Sequence, residues 1–373
     1  MPSTPAQGGT IAVYGATGYT GRLVSAELRR RGADIVLAGR NRAKLEILAE
    51  DLGGEPAIRA ASLDDEKALR DLLEPCAAVI ACAGPFQRHG EPVLAAAVDA
   101  RAHYVDTTGE QPFMRTVFEE YGPRAERAGV ALVTAMGFDY VPGDLIAELT
   151  ADGMGSLDEL VLAYAVSDFG ATRGTALSAL DMLAGGDVEW RDGELVPASQ
   201  SVGRGTWDFP EPVGRQRMVR YPAGEQITVP RHVDTRRVRT LLTASTALPL
   251  PLLPRVAPLV MTPMQLALRT PLRRAFAALI PRLPEGPSLD SRRKSEFMVV
   301  CEAVRGSRRR RGVVSGSDPY GLTARTTVEG ALQCAAPGYA RTGALAASQA
   351  FDPREFLETL GEFGVEYEVV VPD

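Results

Sequence analysis

Val13-Tyr14-Gly15-Ala16-Thr17-Gly18-Tyr19-Thr20-Gly21 lies between a short apolar run, Ile11–Tyr14, and an amphipathic stretch, Thr20–Arg31. A strand that ends in a glycine-rich turn and runs straight into a helix is where a phosphate loop must sit. Gly15 allows the tight turn, Gly18 lets the backbone approach a pyrophosphate, and Gly21 lets the helix pack closely on the strand. Amide groups at the helix N-terminus then face the anion, with Thr17, Tyr19 and Thr20 in the same loop. The spacing is GxxGxxG, a variant of GxGxxG. Glycine-rich turns are common punctuation, so the strand–turn–helix context is what makes this one a dinucleotide site.

Outward from that loop the same alternation continues. Apolar runs at Ile35–Ala38, Ala57–Ala60, Ala78–Cys82, His103–Val105 and Val130–Val133 alternate with helical patterns at Arg42–Leu52, Glu66–Leu73, Glu91–Ala100 and Phe113–Ala128. Gly32, Gly53 and Gly129 punctuate the helix ends. This rhythm predicts an α/β domain, a Rossmann doubly wound parallel sheet, over 1–145. After Pro142 it gives way to an α+β pattern with a mostly antiparallel sheet, the expected substrate domain over 146–335. Leu157–Ser167 reads as a strand, Gly174–Leu183 as a helix, and Asp192-Gly193 as a hairpin turn. Arg217–Arg220 and Gln226–Val229 are strand-like, and Phe297–Val304 with Gly312–Ser315 forms a hairpin with Arg308–Arg311 at its tip. Two late helices, Thr323–Ala335 and Pro353–Phe363, precede a last strand, Val365–Val371. Residues 336–373 are expected to pack back on the two domains.

The second strand ends Gly39-Arg40-Asn41, where an NAD-preferring site usually carries Asp or Glu. Arg40, with Lys44 behind it, suits the extra phosphate of NADP; the alternative is a solvated arginine opening a helix. Ser62 and Leu63, after the third strand, fall beside the adenine. The fourth strand runs into Cys82-Ala83-Gly84-Pro85-Phe86, expected to border the cofactor where the strand order reverses, with Gly84 and Pro85 as a rigid platform. His89, Tyr104, Asp106, Glu110, Phe138 and Arg173 are candidate substrate contacts. For Asp106, as for Thr108 and Asp144, capping a turn is the competing role. Tyr140 is the candidate proton donor, oriented by Asp139. His103 and His232 read as structural, and no pair of histidines has metal-ligand spacing, so no metal is expected.

Composition narrows the function classes. The chain has 373 residues, 45% hydrophobic and 24% charged, and 41 Lys+Arg against 47 Asp+Glu give a net charge of −6. That is ordinary globular composition with no attraction for phosphate backbones, so a dedicated nucleic-acid binder is not expected. The four cysteines lack CxxC spacing, and a reduced, cytoplasmic chain is the simplest account. Neither a signal peptide nor a spanning helix is read from the sequence.

GATGYTG, GPFQRHG, YVDTTGE and GFDYVPGD, in this order and spacing, resemble the saccharopine dehydrogenase-like oxidoreductases. Leu283–Ser288 and Gly316–Ala324 resemble that family's bacterial members, which include trans-acting enoyl reductases. The resemblance implies NADP(H), a small-molecule substrate that is acyl-chain or carrier-linked in some members, and hydride transfer to C=C or C=N. Ala81-Cys82 and Tyr140 depart from the Asn and Ser frequent in the family, which puts its better-known substrates in doubt here. A saccharopine-type dehydrogenase would also need a cationic clamp, for which Arg88 and Arg173 are the candidates. The alternative from another class is a dinucleotide-binding sensor or assembly protein without turnover, and a homodimer is compatible with either. Thr240–Pro284 is apolar and proline-interrupted. It reads as short helices closing the substrate domain, as a wall for an apolar substrate, or as a peripheral membrane contact.

Overall fold

β1 (Ile11–Tyr14), β2 (Ile35–Gly39) and β4 (Ala78–Ala81) are buried along their whole length, which requires cover on both faces of their sheet. In the computed structural model, which describes residues 9–183, 187–198, 205–221, 223–247, 270, 277–282 and 284–370, that sheet has seven strands. It adds β3 (Ala57–Ala60), β5 (His103–Asp106), β6 (Ala131–Val133) and β15 (Gly343–Leu345), in the order β15-β6-β5-β4-β1-β2-β3, all parallel. The order reverses between β1 and β4, so the crevice at the carboxyl ends of these two strands is the ligand position of the fold. The crossovers are α1 (Tyr19–Arg30), α2 (Arg42–Leu52), α3 (Glu66–Leu73) and α4 (Phe86–Ala100). α3 turns Leu69, Leu72 and Leu73 inward, and α4 packs Val93, Leu94 and Ala97 into the same core.

The second sheet is mixed and mostly antiparallel. It comprises β7 (Glu159–Val166), β10 (Gly205–Asp208), β11 (Arg215–Arg220), β12 (Val238–Thr243), β13 (Glu296–Arg305), β14 (Arg308–Ser317) and β16 (Glu366–Val370), ordered β10-β11-β12-β7-β13-β14-β16. Only β12 and β7 run parallel. A separate hairpin joins β8 (Val188–Arg191) and β9 (Glu194–Pro197) through Asp192-Gly193, both at positive φ, as that dipeptide predicts. At Gly312 a β-carbon would lie 2.1 Å from Thr150 Oγ1, so the missing side chain lets the helix through Thr150 close on β14.

The described residues group into two compact units. One runs to Val141 and resumes over Tyr320–Phe351; the other holds Pro142–Pro319 and the stretch from Asp352. The sequence reading divides the chain at 145 and 335. The units divide elsewhere because β15 extends the parallel sheet, while the Pro319–Cys334 helix bonds to the turn after β6: Thr326 and Thr327 hydroxyls donate to the Met136 carbonyl. The expected tail 336–373 is shared, β15 going to one sheet and β16 to the other.

Three local readings are corrected. Gln226–Val229 is not a strand: Glu225–Thr228 is a helical turn. Its four residues are buried, and Gln226 is held by the Trp190 amide and the Thr240 hydroxyl, which overrides the β-branched composition. Arg308–Arg311 is not a hairpin tip but the start of β14, because Arg305 pairs with Arg308 around Gly306-Ser307. Thr240–Thr243 of the proline-interrupted segment completes β12, in the core beside β7. Ile280, near the other end of the segment, packs on Leu180. Residues 248–269, 271–276 and 283 lie outside the described residues, and with them most of the expected lid, wall or membrane contact.

Candidate dinucleotide and active site

The loop after β1 is built as its sequence demands. Gly15 takes φ +83°, and a β-carbon there would lie 3.0 Å from the Cys82 carbonyl carbon and the Ala83 nitrogen. The β1 and β4 loops thus touch backbone to backbone at the switch point. Gly15 and Ala16 amides donate to the Ala38 carbonyl, and the Gly18 amide donates back to the Gly15 carbonyl at 3.0 Å. Gly18 caps α1 in extended backbone; no side chain caps this helix, and no acidic residue lies in its first turn. Helix amides facing a glycine cradle without a carboxylate fit a pyrophosphate. Within this loop Gly21 has the least space, since a β-carbon would lie 2.2 Å from the Gly15 oxygen. Arg22 pins the loop by donating to the Thr17 carbonyl at 2.8 Å, and Tyr19 stacks edge-on against Tyr320.

At the end of β2, Gly39 is buried and Arg40 exposed. Asn41 is a helix cap whose Oδ1 accepts the Lys44 amide at 3.0 Å, leaving the Lys44 side chain exposed. Arg42 is engaged with Glu46 at 2.9 Å. Tyr14 donates its hydroxyl to the Ala61 carbonyl, tying β1 to the end of β3 just before Ser62, which is exposed, and Leu63, which is half-buried. Burial raises the Tyr14 phenol above its ordinary value, with the nearby Arg40 charge opposing and Asp64 reinforcing.

Beyond β4, Ala83 is half-buried, Gly84 exposed and Pro85 buried. Phe86 is a core residue whose ring lies 5.7 Å from that of Phe113, so its side chain is turned away from the loop surface. Cys82 is pushed up to about 12 by burial and the Asp106 charge, so it stays a thiol. His89 is half-buried with Nδ1 3.4 Å from the Gly84 carbonyl oxygen.

The carboxylates after β5 are structural staples. Asp106 is fully buried and accepts from the Thr108 amide, the Thr134 hydroxyl and the Ala135 amide, each at 2.9 Å. It joins the ends of β5 and β6 and supports Ala135 at φ +62°. Burial pushes its carboxyl up to about 6 against those hydrogen bonds. Glu110 accepts from the Phe86 and Gln87 amides at 2.9 Å each, capping α4. Tyr104 is fully buried, and Phe138 is buried with its amide bonded to Thr323. Sequence reasoning groups these four as substrate contacts. All four are buried, and Asp106 and Glu110 serve the donors of neighbouring turns, as strand-end polar residues commonly do. Arg173 is exposed at the start of the Arg173–Leu183 helix, in the second unit.

Tyr140 is 2% exposed, and its hydroxyl donates to the Gly109 carbonyl at 2.9 Å. The expected proton donor is thus already committed to main chain. Asp139 is solvent-accessible, yet the protein crowded around it pushes its carboxyl up to about 6. Asp139 Oδ2 and the Tyr140 hydroxyl lie 4.0 and 3.6 Å from the β-carbon position of Gly109, so the turns after β5 and β6 meet there. The helix that braces this turn was missed as part of the site. Its sequence signal is the Thr323, Thr326, Thr327 spacing, one hydroxylated face that bonds to the Met136–Phe138 turn. Among the described residues, no helix is long and apolar enough to cross a membrane.

Residues 11–133 match the saccharopine dehydrogenase NADP-binding domain family. A candidate trans-acting enoyl reductase of Mycobacterium tuberculosis is 35% identical over 195 residues, 49% of this chain and 46% of that protein. A human saccharopine dehydrogenase-like oxidoreductase is 30% identical over 152 residues, 36% of this chain and 35% of that one. The chain therefore matches less than half the length of these curated relatives. Over 98% of its length it has the fold of saccharopine dehydrogenase (L-Glu forming) from Saccharomyces cerevisiae, with a TM-score of 0.60, 13% identity and all of that chain covered. Residues 11–133, about a third of the chain, thus carry the likeness to the saccharopine dehydrogenase NADP-binding domain, and the cofactor this segment indicates is NADP(H).

Proposed function

We propose that this chain is an NADPH-dependent reductase that directs hydride to a C=C or C=N bond of a partly apolar small molecule. The observation that carries the reading is the Gly15–Gly21 cradle set against Cys82–Ala83 at the switch point, with exposed Arg40 at the end of β2. Gly15, Thr17, Gly18 and Thr20 would hold the pyrophosphate by main chain. Arg40 and Lys44 would hold the phosphate on the adenosine ribose. Ser62 and Leu63 would flank the adenine, and Ala83, Gly84 and Pro85 the nicotinamide side. The cofactor supplies the hydride; the chain orients the substrate, excludes water and supplies a proton.

For the proton, Asp139 is favoured over Tyr140. The Asp139 carboxyl is exposed at the turn after β6, whereas the Tyr140 hydroxyl already serves Gly109. Tyr140 is then a positioning residue that fixes the turn after β5 beside Asp139. On the α4 side, half-buried His89 lies beside the Gly84 carbonyl. The name of the mycobacterial relative supports C=C chemistry.

The test is NADPH oxidation against a series of enoyl thioesters of increasing chain length, with cyclic imines and amino dicarboxylates alongside. Each buried methylene contributes about 0.8 kcal/mol, so KM should fall as the chain lengthens. Flat dependence on chain length together with tight binding of amino dicarboxylates would sink the apolar-substrate reading.

A further inference from the structure

The second unit holds a concentration of arginines that the reductase reading does not use. Arg191 on the β8–β9 hairpin and Arg220 at the end of β11 both bond to one carboxylate, Glu189, which is buried. Arg237, just before β12, and Arg239 within it share a second, Glu159, at 3.9 and 3.4 Å. These are four guanidiniums on two shared carboxylates, with Glu194 opposite Arg191 in the β8–β9 register. Arg236 is not among them, because it pairs with Asp192 at 3.1 Å.

The arrangement is built rather than a chance of long side chains. An isolated β-bridge sets Arg191 directly opposite Arg237, a like-charge pairing that costs stability in a sheet. The hairpin is fixed there from both sides: the Trp190 amide donates to Gln226 Oε1 and its indole donates to the Thr235 carbonyl, each at 2.8 Å. Arg191 Nε is buried without a hydrogen-bond acceptor, a donor kept out of water with nothing to bond. The Arg220 guanidinium is lowered from its ordinary value by burial and then by the charges of Arg191, Arg239 and Arg237, so the four groups feel one another. Arginine rather than lysine matters, since planar forks match the oxygens of a phosphate two at a time.

We propose that Arg191, Arg220, Arg237 and Arg239 form a binding site for a phosphate monoester dianion. A dianion adds negative charge where each carboxylate already serves two guanidiniums, and it relieves the Arg191–Arg237 opposition. The site lies within the second unit and stands independently of the reductase reading.

The test uses the full chain saturated with NADPH, so that the dinucleotide cradle is filled. Glycerol 3-phosphate is titrated calorimetrically at constant ionic strength, and cosedimentation is measured with phosphatidylcholine vesicles with and without phosphatidic acid. Saturable binding of glycerol 3-phosphate, weakened about tenfold or more in Arg237→Gln/Arg239→Gln, is expected if the dianion is free in solution. Binding only to phosphatidic acid vesicles, lost in the same variant, assigns the dianion to a lipid headgroup. Should the double variant fail to fold, Arg237→Gln alone replaces it, at a side chain 48% exposed. No binding in either arm, or binding unchanged by the substitution, overturns the proposal.

Discussion

At Gly21 a side chain has nowhere to go, whereas at Gly18 only the Gly15 carbonyl, 3.3 Å from the β-carbon position, stands near. The two glycines should therefore respond differently. Gly21→Ala is expected to lower the melting temperature, costing on the order of 1–3 kcal/mol as the loop is forced off the helix. Gly18→Val should melt near the parent temperature and lose NADPH binding, because its side chain would stand where the pyrophosphate must come. Retained fluorescence enhancement of NADPH in Gly18→Val would mean the cradle does not hold the cofactor there. Arg40 is exposed, and no carboxylate occupies its position. Arg40→Asp should narrow or reverse the preference for NADPH over NADH by tenfold or more, since one charge-assisted contact is worth roughly 1.5–3 kcal/mol. Equal affinity of the parent protein for both nucleotides, measured by titration, would remove Arg40 from the site.

Elements are held in place by groups that look catalytic in the sequence. Glu110 satisfies two first-turn amides of α4, so Glu110→Ala should destabilise the dinucleotide unit by about 1–2 kcal/mol. Glu110→Gln should recover part of that loss, which a denaturant titration of the pair would show. In the second unit, His232 bridges Glu148 at 2.7 Å and Asp144 at 3.0 Å. Burial disfavours charge on this ring, but the two carboxylates outweigh it and push its pKa up to about 9. Because the folded value is raised, the stability from this bridge is complete below the ordinary histidine value near 6.5 and is lost as pH rises through about 9. The loss is on the order of 3 kcal/mol. Melting temperature should fall between pH 7 and 10 in the parent and change much less in His232→Gln; equal slopes would show that the imidazolium contributes nothing.

On the scale of the whole chain, the two units are threaded rather than strung in series. The chain leaves the dinucleotide unit at Val141, returns at Tyr320 and leaves again after Phe351. A stop after Phe351 removes β16 and the Pro353–Gly361 helix while keeping all seven strands of the parallel sheet. That truncated chain is expected to bind NADPH within about threefold of the parent, with the second unit losing stability as β14 becomes an edge. A stop after Pro319 also removes β15 and the threonine-bearing helix, and it should abolish NADPH binding. Comparing the two truncations by NADPH titration and thermal melting separates these outcomes.

The parallel sheet, its crossovers and the dinucleotide loop were legible in the sequence because each rests on local rules: apolar runs of strand length, helical periodicity and glycine where the backbone must turn. Family likeness was legible for the same reason, since GATGYTG and the three motifs after it are contiguous strings. The partners of a strand-end carboxylate were not. Asp106 bonds to Thr134 and Ala135, and Tyr140 to Gly109, across separations of about 30 residues that only the register of β5 on β6 decides. For the same reason Gln226–Val229 carries strand composition yet forms a helical turn, and residues 320–351 belong with a sheet whose other strands end near residue 133. Local sequence determines which elements form and where a phosphate can approach them. Which polar side chains remain for chemistry is decided only by packing, because every buried amide at a turn must first find its acceptor.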